Sequence, residues 1–313
     1  MWKLIRKMAI YAVFTFIFLE VLVRVFHLYN DLPQWYLDEN KTYRWIPGQE
    51  GYTVYGNRRQ KFSQYRINKE GFNSYREFNP TADKYEVALL GDSFIEGFHQ
   101  DYYSSIGKKI ENRLDGIEVY EYGHSSFDFA DQLHLVEVSK QQFDYIDLIV
   151  FEVKYENDLR RDEYSVRYRA VTLPFLRHSK LIVYMLNQGM FDPLKELVSD
   201  IQSLRKPKSE PVGGIDEDSL YLENFKKLVR KYNFDKAKMA LMLDSRKTDS
   251  NFLKYLEQNG FRYIDYGLPF EKNNQRPTTL IYDRHWNDFG RKLVAKEISS
   301  FIEEDNSWIN FNN

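Results

Sequence analysis

Polar and apolar positions change rhythm twice along the chain. Met8 to Leu19 carries no charge, and the apolar stretch continues to Tyr29, long enough to cross a hydrocarbon layer as a helix. Lys3, Arg6 and Lys7 precede it and mark the cytoplasmic side. Glu20 and Arg24 stand four apart, so on a helix they share a face and pair. No Ala-x-Ala-like site follows, and residues 1–29 read as an uncleaved anchor with the remainder outside the cytoplasm. Residues 30–84 are polar and aromatic with little helical periodicity. Thr53–Gly56 and Gln64–Asn68 suggest short strands and Asn68–Phe72 a turn, giving a small β-rich appendage.

From Tyr85 onward, short apolar runs alternate with stretches of helical period. The runs Val87–Leu90, Ile117–Tyr122, Ile146–Val153, Ala237–Leu243 and Phe261–Tyr266 predict strands. Between them fall a helix that follows Ser93 and ends near Asp115-Gly116, one capped by Asp128, one over Phe252–Gln258, and a last one starting at Asn287. Alternation of this kind predicts an α/β domain over 85–313, a parallel sheet with helices on both faces. A long insertion at about 160–235, with a loop at Lys206–Gly214, follows the third strand and is a candidate lid or acceptor surface.

Composition narrows the chemistry. The chain has 313 residues, enough for one large domain with an appendage, and 43% are hydrophobic, enough for a sizeable core. A formal net charge of −2 gives no argument for a nucleic-acid partner. There is no cysteine, which excludes disulfides and thiol catalysis and weakens any zinc site. His99, His124, His134 and His178 lack ligand spacing with Asp or Glu, and no phosphate-binding glycine loop is present, so neither metal nor cofactor is expected.

The polar residues that remain converge on strand ends. Gly91 breaks the first run and puts Ser93 at the carboxyl end of a buried strand, where open α/β sheets bind ligands. Gly123 and Asn157 follow the next two strands, and Asp283 and His285 precede the last helix. A hydroxyl nucleophile needs a base to take its proton, and the base needs an acid to hold its tautomer. Backbone N–H groups at Ser93 and Gly123, with the Asn157 amide, supply donors for an oxyanion. Together these are the roles for acyl transfer through a serine ester.

In order, Gly91-Asp92-Ser93, Gly123, Asn157 and Asp283-x-His285 resemble the four blocks of the SGNH hydrolases, or GDSL-type esterases. The resemblance implies a flavodoxin-like three-layer α/β/α sandwich, with Ser93 as nucleophile, His285 as base and Asp283 as its orienting carboxylate. It assigns the oxyanion hole to Ser93, Gly123 and Asn157. The anchor and Arg66–Phe72 look like those of membrane-anchored bacterial members, and Asp-x-His-Trp is similar to periplasmic polysaccharide O-acetylation proteins. Two departures bear on substrate shape: Tyr155 stands where the family has a glycine, and His124 directly follows the oxyanion glycine. The expectation is a serine esterase acting on O-acetyl groups of a cell-envelope glycan, anchored by one helix in the bacterial inner membrane with its catalytic domain periplasmic. The alternatives are an O-acyltransferase served by a membrane-bound acyl donor partner, and a non-catalytic glycan-binding protein on the same fold.

Overall fold

A computed structural model describes residues 1–56, 60–81, 83–167, 178–193, 217–305, 308 and 311. Its contacts divide the chain into two units. The first comprises Met1–Leu32, Tyr52–Phe62 and Arg167–Gly213, and the second comprises Pro33–Gly51, Ser63–Val166 and Gly214–Asn313. The 30–84 stretch, expected as one appendage, is therefore shared between them.

In the first unit, α1 (Trp2–Val25) is a 24-residue helix, long and apolar enough to cross a membrane, as an anchor or a signal sequence would be. Its apolar side chains are largely exposed, and only Val23 is buried.

The second unit opens with β1 (Trp35–Leu37) and β2 (Tyr43–Trp45), which pair antiparallel. A second two-stranded sheet joins β3 (Glu50–Tyr55) to β4 (Lys61–Arg66), near the expected short strands, and its Tyr52–Tyr55 and Lys61–Phe62 portions belong to the first unit. The Asn68 turn forms as expected: Asn68 Oδ1 accepts the Phe72 N–H at 2.9 Å, and Gly71 has φ +80°. Tyr43, Phe72 and Phe78 then enter the main core.

That core surrounds five parallel strands, β5 (Tyr85–Gly91), β6 (Ile117–Gly123), β7 (Leu148–Glu152), β8 (Met239–Leu243) and β9 (Tyr263–Asp265). Their order is β6-β5-β7-β8-β9. The chain leaves β5 for a neighbour on one side and returns to the other, which opens a crevice at the carboxyl ends. Alternate residues explain why the strands read as continuous apolar runs. Ala88, Leu90, Ile149 and Phe151 face one layer, while Val87, Leu89, Leu148 and Val150 face the other.

The helices complete the sandwich. After β5 come α2 (Ser93–Glu96) and α3 (Ile106–Glu111), and after β6 come α4 (Phe129–Val138) and α5 (Lys140–Phe143). A one-turn α6 (Tyr155–Asp158) follows β7, and α7 (Lys180–Asn187) belongs to the first unit. The remainder are α8 (Glu217–Lys231), α9 (Ser250–Gln258), α10 (Gly267–Lys272) and α11 (Asp288–Glu303). Phe129, Phe225 and Phe252 pack α4, α8 and α9 on one face, whereas Ile106, Ile110, Val294 and Ile298 pack α3 and α11 on the other. The expected three-layer α/β architecture is thus present.

One element differs from its expectation. The single helix expected after Ser93, ending near Asp115-Gly116, is broken in two. Gly97 takes φ +70° and ends α2, and the chain restarts only where the Ser105 hydroxyl caps α3 by accepting the Lys108 N–H at 3.2 Å. The Lys206–Gly214 loop lies outside the described residues.

Candidate active site

The site begins where β5 ends. Gly91 and Gly123 lie side by side in the β5–β6 register, and the His124 N–H donates to the Gly91 carbonyl at 3.1 Å. Neither position has room for a side chain. A Cβ on Gly123 would come within 2.0 Å of the Glu96 nitrogen, and one on Gly91 within 2.5 Å of Ile95 Cγ1. The absence of both side chains lets the α2 backbone settle onto the sheet edge. Asp92 caps that helix, its Oδ1 accepting the Phe94 N–H at 2.9 Å, so Ser93 becomes the first helical residue.

Ser93 Oγ donates to His285 Nε2 at 2.7 Å, and His285 Nδ1 donates to Asp283 Oδ1 at 2.5 Å. The tautomer follows from chemistry: a carboxylate only accepts, so Nδ1 carries the proton and Nε2 presents its lone pair to Ser93. The three side chains stand on two segments 190 positions apart in sequence, and the structure joins them in one chain of hydrogen bonds. Asp283 also accepts the His285 N–H at 3.2 Å, so residue and backbone are held together. The imidazole lies between two rings, Phe94 at 4.6 Å and His99 at 4.2 Å between centroids, the latter nearly parallel at 27°.

The segment carrying Asp283 and His285 is itself pinned. Thr279 and Trp286 form an antiparallel bridge, and the Leu280 N–H donates to the His285 carbonyl at 2.9 Å. The Asn287 side chain accepts the Gly290 N–H at 2.9 Å to cap α11, while its Nδ2 donates to the Pro277 and Thr279 carbonyls. Trp286 is buried in the core against Phe94 and Tyr266, so it supports the site from beneath. Arg291 is buried too, donating to the Trp286 carbonyl at 2.6 Å, and burial draws its guanidinium down to about 10.

Other expected site residues stand as follows. Gly123 ends β6 directly beside Gly91. Asn157 sits on α6 with its side chain exposed and its N–H donating to the Lys154 carbonyl at 2.9 Å. Tyr155 turns into the core, where its hydroxyl donates to the Asp218 carbonyl at 3.2 Å. His124 is fully buried and stacked between Trp45 and Phe127, so its bulk is taken up by the core. At the start of the insertion, outside the expected site residues, Arg161 pairs with Asp128 and Asp131, which directs it inward. Among the described residues, no group of three or more His, Asp or Glu is arranged to hold a metal.

A buried charge cluster beneath Ser93 was not anticipated. Lys154 Nζ pairs with Asp92 and lies 3.5 Å from Glu152 Oε1, and its ammonium sits 3.7 Å over the Phe94 ring. Glu152 Oε2 accepts the Asp92 N–H at 3.2 Å, and Asp158 accepts the Lys154 N–H at 2.7 Å. Burial, reinforced by the Asp92 charge, pushes the Glu152 carboxyl up. Burial alone would lower the Lys154 ammonium, but Glu152 and Asp92 outweigh it and raise the ammonium. The apolar run Leu148–Phe151 contains no sign of this, because Glu152 and Lys154 look like ordinary residues at a strand's polar exit.

No protein-family model and no curated protein matches the sequence. Solved structures with a similar chain course include a lipolytic protein of the G-D-S-L family from Veillonella parvula. It is 12% identical, with a TM-score of 0.40 over 70% of this chain and 98% of its own. An acetyl xylan esterase from the rumen bacterium Butyrivibrio proteoclasticus is 8% identical, with a TM-score of 0.35 over 72% of this chain and 64% of its own. These likenesses are distant, and the reading of the site rests on the geometry of Ser93, His285 and Asp283.

Proposed function

We propose that the protein is a serine esterase of the SGNH type, and that its substrate is an O-acyl, chiefly O-acetyl, ester on a cell-envelope glycan. The single observation that carries the reading is the continuous Asp283–His285–Ser93 hydrogen-bonded chain. His285 Nε2 takes the Ser93 proton as Oγ bonds to the ester carbonyl carbon. The tetrahedral oxyanion is received by the N–H groups of Ser93 and Gly123 and by the Asn157 amide. On collapse, the C–O bond to the sugar breaks and His285 returns its proton to the leaving alcohol. Water, deprotonated by the same base, then attacks the acyl-Ser93 ester and releases the acid. Asp283 stays ionised throughout, holding the imidazole and stabilising the imidazolium.

The α1 helix would anchor this chemistry to the inner membrane, facing the periplasm. The full chain in detergent, with Ser93→Ala alongside, tests the reading on p-nitrophenyl acetate with and without oligosaccharide acceptors. Ser93-dependent release of acetate into water supports the esterase. Acetyl found on an acceptor by mass spectrometry assigns the same site to an O-acyltransferase working with a membrane-bound acyl donor. Equal rates for both proteins on every ester would leave a glycan-binding role and refute the catalytic reading.

A further inference from the structure

The first unit contains a helix that a water-surrounded protein would not leave as it stands. Between Lys180 and Asn187, α7 reads Leu-Ile-Val-Tyr-Met-Leu, apolar around its whole circumference. A helix of that kind is normally buried on all sides or embedded in lipid. Here only Leu181 is buried, in a small cluster with Val23 and Tyr29, which Val183, Tyr184 and Met185 flank. Ile182 and Leu186, one turn apart, are half-buried and lie outside that cluster. Just beyond the helix, Met190 is 59% exposed.

What α7 docks onto identifies its surroundings. Its amino terminus is fastened to the last turns of α1. Glu20 accepts hydrogen bonds from the Lys180 N–H at 2.9 Å, the Leu181 N–H at 2.8 Å and the Ser179 hydroxyl at 2.9 Å. Arg24 donates to Glu20 at 2.7 Å and to the His178 carbonyl at 2.6 Å. Charged groups near the end of a membrane helix need partners, and a helix amino terminus supplies donors for a carboxylate. Around this junction the apolar surface continues on α1, where Val21, Val25 and Phe26 are all exposed. Lys180 adds a cation, paired with Asp31 at 3.0 Å, at the amino-terminal end of α7.

We infer that the segment from His178 to Phe191 is an interfacial membrane element, seated in the lipid surface where α1 emerges. It rests on the reading of α1 as a membrane helix. The occupant of its apolar surface is the acyl–headgroup boundary of the bilayer, where apolar stretches too short to span the membrane form interfacial segments. Part of the insertion expected to form a lid or acceptor surface is then a second membrane contact, held by Glu20 and Arg24 of α1.

The chain has no cysteine, so single-cysteine variants report on one position each. Met190→Cys, Val13→Cys and Asn251→Cys full-length proteins would carry an environment-sensitive fluorophore in phosphatidylethanolamine–phosphatidylglycerol vesicles. Quenching by headgroup-level nitroxide lipids is compared with quenching by aqueous iodide. The inference expects the Met190 label to be quenched by the nitroxide lipids and to be at least about threefold less open to iodide than the Asn251 label. With Val13 in lipid, a Met190 label fully open to iodide overturns the inference and leaves the anchor intact. Shielding from iodide without nitroxide quenching assigns the face to a second copy of the chain, which also overturns it. If the Val13 label too is open to iodide, the anchor reading fails and the inference falls with it.

Discussion

In the proposed mechanism Ser93, His285 and Asp283 divide one task, so their removal should not be additive. Ser93→Ala and His285→Ala should each lower kcat on an activated acetyl ester by at least about 10³-fold, and the double variant little further. Steady-state rates on the three proteins check this. Asn157→Ala should reduce kcat by roughly 10²-fold with KM nearly unchanged, the signature of a donor used mainly in the transition state. A second residue-scale prediction concerns Glu121, whose carboxyl accepts the Gly107 N–H at 3.1 Å and which burial pushes up to about 7. Its folded value lies above its unfolded one, so the folded state binds the proton more tightly. That stabilisation is complete at low pH and is lost as pH rises from about 4.5 through 7, with a change of up to roughly 3 kcal/mol. Urea unfolding across this window should show the loss in the wild type and a flatter profile in Glu121→Gln.

At the scale of elements, the strand-end glycines carry the design. Gly123→Ala would press a methyl group into the α2 backbone at Glu96, and the neighbour cannot give way without moving Ser93. Such overpacking should cost about 1–3 kcal/mol of stability and a disproportionate loss of kcat, read from thermal melts and rates on one preparation. The elements most legible in the sequence were those whose local signals agree with their burial. β5 and β7 are apolar on both faces, and Asp128 and Asn287 cap their helices as expected. The α2–α3 break was hidden because Ile106 and Ile110 keep helical spacing across a stretch that Gly97 had already ended. The pairing of Lys154 with Asp92 was equally hidden. It joins the ends of adjacent strands 62 positions apart, and nothing local marks Lys154 as half-buried.

For the whole molecule, Glu20 and Arg24 were read as a pair on one helix face, and that pair forms at 2.7 Å. Their larger role, holding the start of α7, depends on a contact about 160 residues distant that periodicity cannot show. The same limit applies to the division into two units, which cuts the chain at five points. The meeting of Asp283, His285 and Ser93 in one hydrogen-bonded chain, by contrast, was legible because they lie at predictable strand and helix ends. Its chemistry is therefore the claim to test most directly. The full chain would be treated with a fluorophosphonate, and the modified peptide located by mass spectrometry. The account predicts one adduct, on Ser93, formed rapidly in the wild type and at least about 10³-fold more slowly in a folded His285→Ala protein. An unmodified Ser93 in the folded wild type, or equal labelling of Ser93 with and without His285, would contradict it.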